Sequence, residues 1–101
     1  MIGKKGYNIP ESQSLDHVFG YTVAQDISAR DWQKQKNGGQ FLLGKAMDTF
    51  CPLGPAIVTK EAINNIYDLK ISTKVNGELK QSGNTGELIH KIESIIARIS
   101  R

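Results

Sequence analysis

The sequence predicts an α+β domain of short strands and one C-terminal helix, and three stretches predict it. Tyr21, Val23 and Gln25 alternate with Thr22, Ala24 and Asp26, the period-two pattern of a half-buried strand. Asn76-Gly77 lies between two further strand-like runs, and because both residues tolerate positive φ the pair is the strongest short-range sign of a hairpin. Leu88, Ile92, Ile95, Ile96 and Ile99 recur at three-and-four spacing, the stripe of an amphipathic helix.

The remaining elements follow in order. Met1-Ile2 resembles the end of a strand, and the Gly-rich basic stretch GKKGYNIP after it reads as a turn. Pro10 suits the first turn of a short helix over 11–18, which places Leu15, Val18 and Phe19 on one side. The strand through Tyr21 stops at Asp26, and the alternation breaks at Ser28-Ala29-Arg30-Asp31, where a turn is expected. Residues 34–39 (KQKNGG) form a polar loop; beyond it Gly44 lets the backbone bend and so aims Lys45. Two prolines and a glycine make 46–55 poor helix material, so an extended, irregular path is expected there. Residues 56–59 read as a buried-type strand and 60–65 as a turn with at most one helical coil. The run 69–75 alternates except at Thr73, and 78–82 returns as its partner. Asn84 or Thr85 is expected to cap the last helix, with Glu87 near its start where the dipole favours an acid. No glycine or proline closes that helix before Arg101, so the chain is expected to end before its domain does.

At 101 residues the chain is one domain or part of one, with a thin core. Thirteen Lys and Arg against ten Asp and Glu leave a formal charge of +3, too small and too dispersed to argue for nucleic acid. A single cysteine excludes an internal disulfide and fits a reducing compartment. No apolar run approaches the roughly 18 residues that span a bilayer, and the N-terminus lacks the apolar core of a signal peptide.

Residues able to do chemistry gather around the end of the first strand. Asp26 can ligate a hard divalent cation or cap the following turn, and on its own the cap is the more ordinary role. Lys45, beside Gly44 in apolar surroundings, can donate to an oxyanion or move a proton; the alternative is a surface lysine. Arg30 can clamp a carboxylate or pair with Asp31 or Asp48. His17 and His90 have no Cys or acid at metal-ligand spacing, so zinc is unsupported and both are expected at the surface or at helix ends. Cys51, between Phe50 and Pro52, is expected to be a small buried hydrophobe.

The segments GYTVAQDISARDWQ, GGQFLLGK, DTFCPLGPAIVTK and VNGELKQSGNT, in that order, resemble the fumarylacetoacetate hydrolase family. The likeness is to its small domain proteins of animals and bacteria rather than to the larger tyrosine-catabolic enzyme. It spans nearly the whole chain. It implies part of a mixed β-sandwich roll, a Mg²⁺ or Mn²⁺ cofactor, a homodimer, and a small 2-oxo-acid substrate such as oxaloacetate or an acylpyruvate. The reaction implied is keto-enol tautomerisation, C–C bond hydrolysis or decarboxylation, in mitochondria or cytoplasm, with no nucleic-acid or membrane partner. By position, Asp26 is similar to the family's aspartate metal ligand, Arg30 and Gln33 to its substrate-binding pair, and Lys45 to its active-site lysine. The residue after that lysine is commonly Ser or Thr in the family and is Ala46 here. The resemblance further implies that 1–101 is a central part of the catalytic domain. The family's Glu-x-Glu metal-binding strand and helical lid would lie upstream, and its Gly-Thr-Pro loop downstream. The alternative carried with this reading is a catalytically inactive fragment, a pseudoenzyme or an interaction module.

Overall fold

The computed structural model describes residues 1–101, which divide into two units: Met1–Gly20 with Val58–Arg101, and Tyr21–Ile57. The architecture is α+β, as the patterning predicts.

In the first unit the N-terminus is tied to the end of the first loop. The Met1 ammonium donates to the Gly20 carbonyl at 2.9 Å, the Phe19 N–H donates to the Met1 carbonyl at 3.0 Å, and Ile2 bridges Val18. After Pro10 the chain forms a 3-10 helix, Glu11–His17, which packs against the helix α1 (Ile92–Ile99). Ser14 is fully buried, its hydroxyl 3.1 Å from the Pro10 carbonyl and 3.0 Å from that of Glu93. The Ile9 N–H reaches Ser100 Oγ at 3.0 Å. Ile9, Val18, Ile96 and Ala97 are the buried apolar side chains of this contact. His17, expected at the surface or a helix end, does end the 3-10 helix but is buried. The Lys4 carbonyl at 3.0 Å from its Nδ1 supplies the partner that a buried imidazole needs.

The Asn76-Gly77 turn, at φ 50° and 84°, joins β3 (Lys70–Val75) to β4 (Glu78–Asn84) in an antiparallel pair. The register slips between Thr73 and Lys74, where the alternation of the sequence falters: a β-bulge puts one extra residue on one strand.

The last helix is shorter than its apolar stripe. Asn84 and Glu87 form a reciprocal capping box, but it opens only the 3-10 turn Thr85–Glu87, and the backbone is no longer helical at Leu88. The α-helix starts afresh at Ile92, whose N–H donates to the Tyr67 hydroxyl at 2.9 Å. A tertiary anchor has replaced the local cap, and Ile89 is left 94 % exposed.

The second unit holds all but the ends of β1 (Gly20–Ala24) and β2 (Leu53–Thr59), which pair with each other. The ladder continues past β1, with Gln25 N–H on the Pro52 carbonyl and Ile27 N–H on that of Phe50, each at 3.1 Å. The pairing is therefore antiparallel. Two corrections fall here. The strand expected over 56–59 starts earlier, at Leu53, and its Ile57 and Val58 are exposed rather than buried. Cys51 is exposed too. This unit buries no apolar side chain; its buried positions are Gln33 and Gly44.

Candidate active site

The site is built by three backbone constraints. The extended ladder through Gln25 and Ile27 carries Asp26 between them. Ala29 then donates its N–H to the Gly44 carbonyl at 2.9 Å, and its own carbonyl accepts the Gln33 N–H at 3.0 Å. That second bond opens a helical turn that widens into a π-helix, Trp32–Lys36, a rare form frequent at functional sites. On the opposite side a 3-10 turn, Leu42–Gly44, closes with Lys45 N–H on the Leu42 carbonyl at 3.0 Å.

Gly44 is needed where these segments meet. A Cβ there would lie 2.7 Å from Gln33 Cβ and 2.8 Å from Gln33 N, closer than atoms can pack. The missing side chain lets the lysine turn sit directly on the π-helix.

Two of the expected site residues meet at once. Lys45 Nζ lies 2.5 Å from Asp26 Oδ2 and 2.8 Å from Ser28 Oγ. The side chains are 31 % and 70 % exposed for Lys45 and Asp26, and a pair open to water to that degree is worth about 0–1 kcal/mol. Such a pair is easily reopened by a competing ligand. The Asp26 carboxylate accepts from the lysine rather than capping the turn that follows it. The other two form a second pair, Arg30 Nη1 donating to Gln33 Oε1 at 2.5 Å. Arg30 is exposed and pairs with neither Asp31 nor Asp48, whereas Gln33 is 2 % exposed. The two pairs are linked through the Ala29–Gly44 and Gln33–Ala29 backbone bonds.

Ser28 is the residue the sequence reading passes over. In extended chain, positions two apart point to the same side, so a lysine that reaches Asp26 also reaches Ser28. That periodicity was the available signal.

Mg²⁺ and Mn²⁺ take oxygen ligands, and Mg²⁺ is typically held by one or two carboxylates with waters and substrate oxygens. Asp26 is one such carboxylate, with Oδ2 already on an ammonium. No three His, Cys, Asp or Glu side chains cluster to hold an ion. The residues of this chain do not by themselves make the site.

The model of the fumarylacetoacetate (FAA) hydrolase C-terminal domain matches residues 1–101. The chain belongs to the fumarylacetoacetate hydrolase family. Among curated relatives it is 57 % identical over 101 residues to the mitochondrial oxaloacetate tautomerase fahd2 of Xenopus laevis, covering all of this chain and 32 % of that protein. To the oxaloacetate tautomerase YisK of Bacillus subtilis it is 46 % identical, covering 33 % of that protein. This family member thus spans about a third of the length of the relatives it matches. Its fold matches the fumarylacetoacetate hydrolase from Exiguobacterium antarcticum with a TM-score of 0.90 at 42 % identity, covering 100 % of this chain and 35 % of the other. The α+β units described above are therefore part of the roll that the family shares.

Proposed function

We propose that these 101 residues are the central part of a catalytic domain that interconverts the keto and enol forms of a small 2-oxo acid, oxaloacetate being the leading candidate. The observation that carries the reading is the Lys45 ammonium held at 2.5 Å from Asp26 and 2.8 Å from Ser28. The names of the relatives support the substrate.

Enolisation takes a proton from C3, passes it to a base, and places a proton on the C2 oxygen. Charge builds on that oxygen as the C3–H bond breaks, and a fixed ammonium beside it lowers the barrier because it needs no reorganisation at that moment. Lys45 is assigned that task, as donor to the C2 oxygen. Arg30 is assigned a substrate carboxylate, which a guanidinium grips through two parallel N–H bonds. Gln33, buried and bonded to Arg30, enters substrate binding by fixing the angle of that guanidinium. Asp26 is proposed as one carboxylate of a Mg²⁺ or Mn²⁺ site whose other ligands come from outside these residues; bound there, the ion would polarise the 2-oxo-carboxylate. Hydrolysis of a C–C bond makes a greater demand, since it also needs an activated water. The relatives' names support a mitochondrial setting, and a cytoplasmic one fits the bacterial relative. No helix is long and apolar enough to cross a membrane.

The test is the ultraviolet decay of enol-oxaloacetate with the wild-type chain and with Lys45→Ala. The expected result is catalysis above background that falls by about 10²–10⁴-fold in the variant, the usual worth of a placed proton donor. Wild-type protein no faster than buffer, with or without Mg²⁺ and Mn²⁺, overturns catalysis by these residues on their own and leaves an inactive fragment or interaction module.

A further inference from the structure

We propose that Ser28 is a positioning residue for Lys45, the group that keeps the ammonium aimed when Asp26 is engaged elsewhere. This deepens the tautomerase reading and rests on it.

An ammonium has three N–H donors and no acceptor. One points at Asp26 Oδ2 and one at Ser28 Oγ, which leaves a third for a substrate oxygen. Two acceptors fix the direction of that third donor; one alone would let the ammonium turn about a single hydrogen bond. The hydroxyl is itself oriented, because it lies 3.3 Å from the Asp26 carbonyl as donor, so its lone pairs are available to the lysine. Its backbone is held next door by the Ala29 N–H on the Gly44 carbonyl at 2.9 Å, and Gly44 is the residue before Lys45. The serine and the base of the lysine side chain are thus fixed to each other through one bond.

The two acceptors differ in what else they can do. Asp26 is a charged, 70 % exposed carboxylate, open to any cation that arrives. Ser28 is neutral, less exposed and already committed. When a cation takes the carboxylate, the serine is the acceptor that remains to the lysine.

The experiment compares the wild-type chain with Ser28→Ala and Ser28→Thr in two measurements: steady-state tautomerisation of oxaloacetate, and crystal structures of the three proteins. In Ser28→Ala we expect kcat to fall by about 10- to 100-fold, the effect of a slightly misplaced group, with KM changed less than about 2-fold and Lys45 Nζ displaced. Ser28→Thr, which keeps the hydroxyl, should recover most of kcat and the wild-type lysine position. An unchanged kcat in Ser28→Ala, a loss confined to KM, a threonine variant no better than alanine, or a Lys45 that stays in place without the hydroxyl each overturns the assignment. If wild-type protein shows no tautomerisation, the functional reading fails instead, and the lysine position in the three structures still decides the role of Ser28. Should Ser28→Ala fail to fold, the threonine variant must match wild type in both readouts, and a displaced lysine there overturns the assignment.

Discussion

At Gly44 the chain gives up a side chain so that a lysine can sit one residue later against a π-helix. The prediction at this scale follows from the distances: Gly44→Ala places a methyl 2.7–2.9 Å from Cβ, N and Cα of Gln33, two of them backbone atoms that cannot swing away. Overpacking of this kind costs about 1–3 kcal/mol, and urea denaturation should show a midpoint lowered to match; an unchanged midpoint would mean that the two turns separate freely. Much of the site was legible residue by residue. Asp26 could be picked out because a strand pattern stops on it, and Lys45 because a glycine precedes it. Their meeting could not be read from the chain, since it depends on the Ala29–Gly44 bond between segments fifteen residues apart. Burial was the weaker inference. Apolar neighbours suggested a buried Cys51, yet the unit offers no apolar layer for it to enter, and Gln33 is buried because Arg30 satisfies its carbonyl.

The elements divide by what fixes their ends. The β3–β4 hairpin was readable down to the faltering at Thr73, because turn chemistry and alternation act locally. The helix α1 was readable only in its second half: the capping box at Asn84 and Glu87 is real, but Tyr67, far away in sequence, sets the true start. Tyr67 donates its hydroxyl hydrogen to the Glu93 carboxylate and accepts the Ile92 N–H. That donated bond, with help from the backbone of Glu93 and the charge of Lys91, holds the Glu93 carboxyl below the usual carboxylate range. A carboxyl whose pKa is lower folded than unfolded stabilises the fold above the unfolded value and loses that contribution as pH falls through the folded one. Melting temperatures measured from neutral pH downward should therefore show an acid-side loss in the wild type that is shallower in Tyr67→Phe. Parallel acid limbs would remove Glu93 as a contributor.

Over the whole molecule the ledger of surface is unbalanced. A folded monomer of 11.1 kDa exposes about 5,700 Å², whereas this chain exposes 8080 Å². The excess, about 2,400 Å², is more than the roughly 800 Å² that each partner commits to a standard interface. In the first unit it includes an apolar groove of about 520 Å³ lined by Ile71, Leu88, Ile89 and Ile95. The expected outcome is that the isolated chain self-associates, and sedimentation velocity should give a mass of a dimer or more that falls as the protein is diluted. A sharp monomer with a cooperative melt would show that this surface is stable in water. The α+β class was evident from sequence at this scale; the exposed faces were not, because hydrophobic periodicity tells which side of an element wants cover and not whether cover is present.

The Ala29–Gly44 bond also decides which part of the chain is free to vary. It fastens the aspartate-bearing and lysine-bearing segments to each other from within, so the bend at Gly38 and Gly39, closed by its own Asn37–Gln40 hydrogen bonds and with open space where a Cβ would go, is not what brings those segments together. Extra residues spliced into that bend, or a reporter peptide grafted there, would leave the geometry beside it in register.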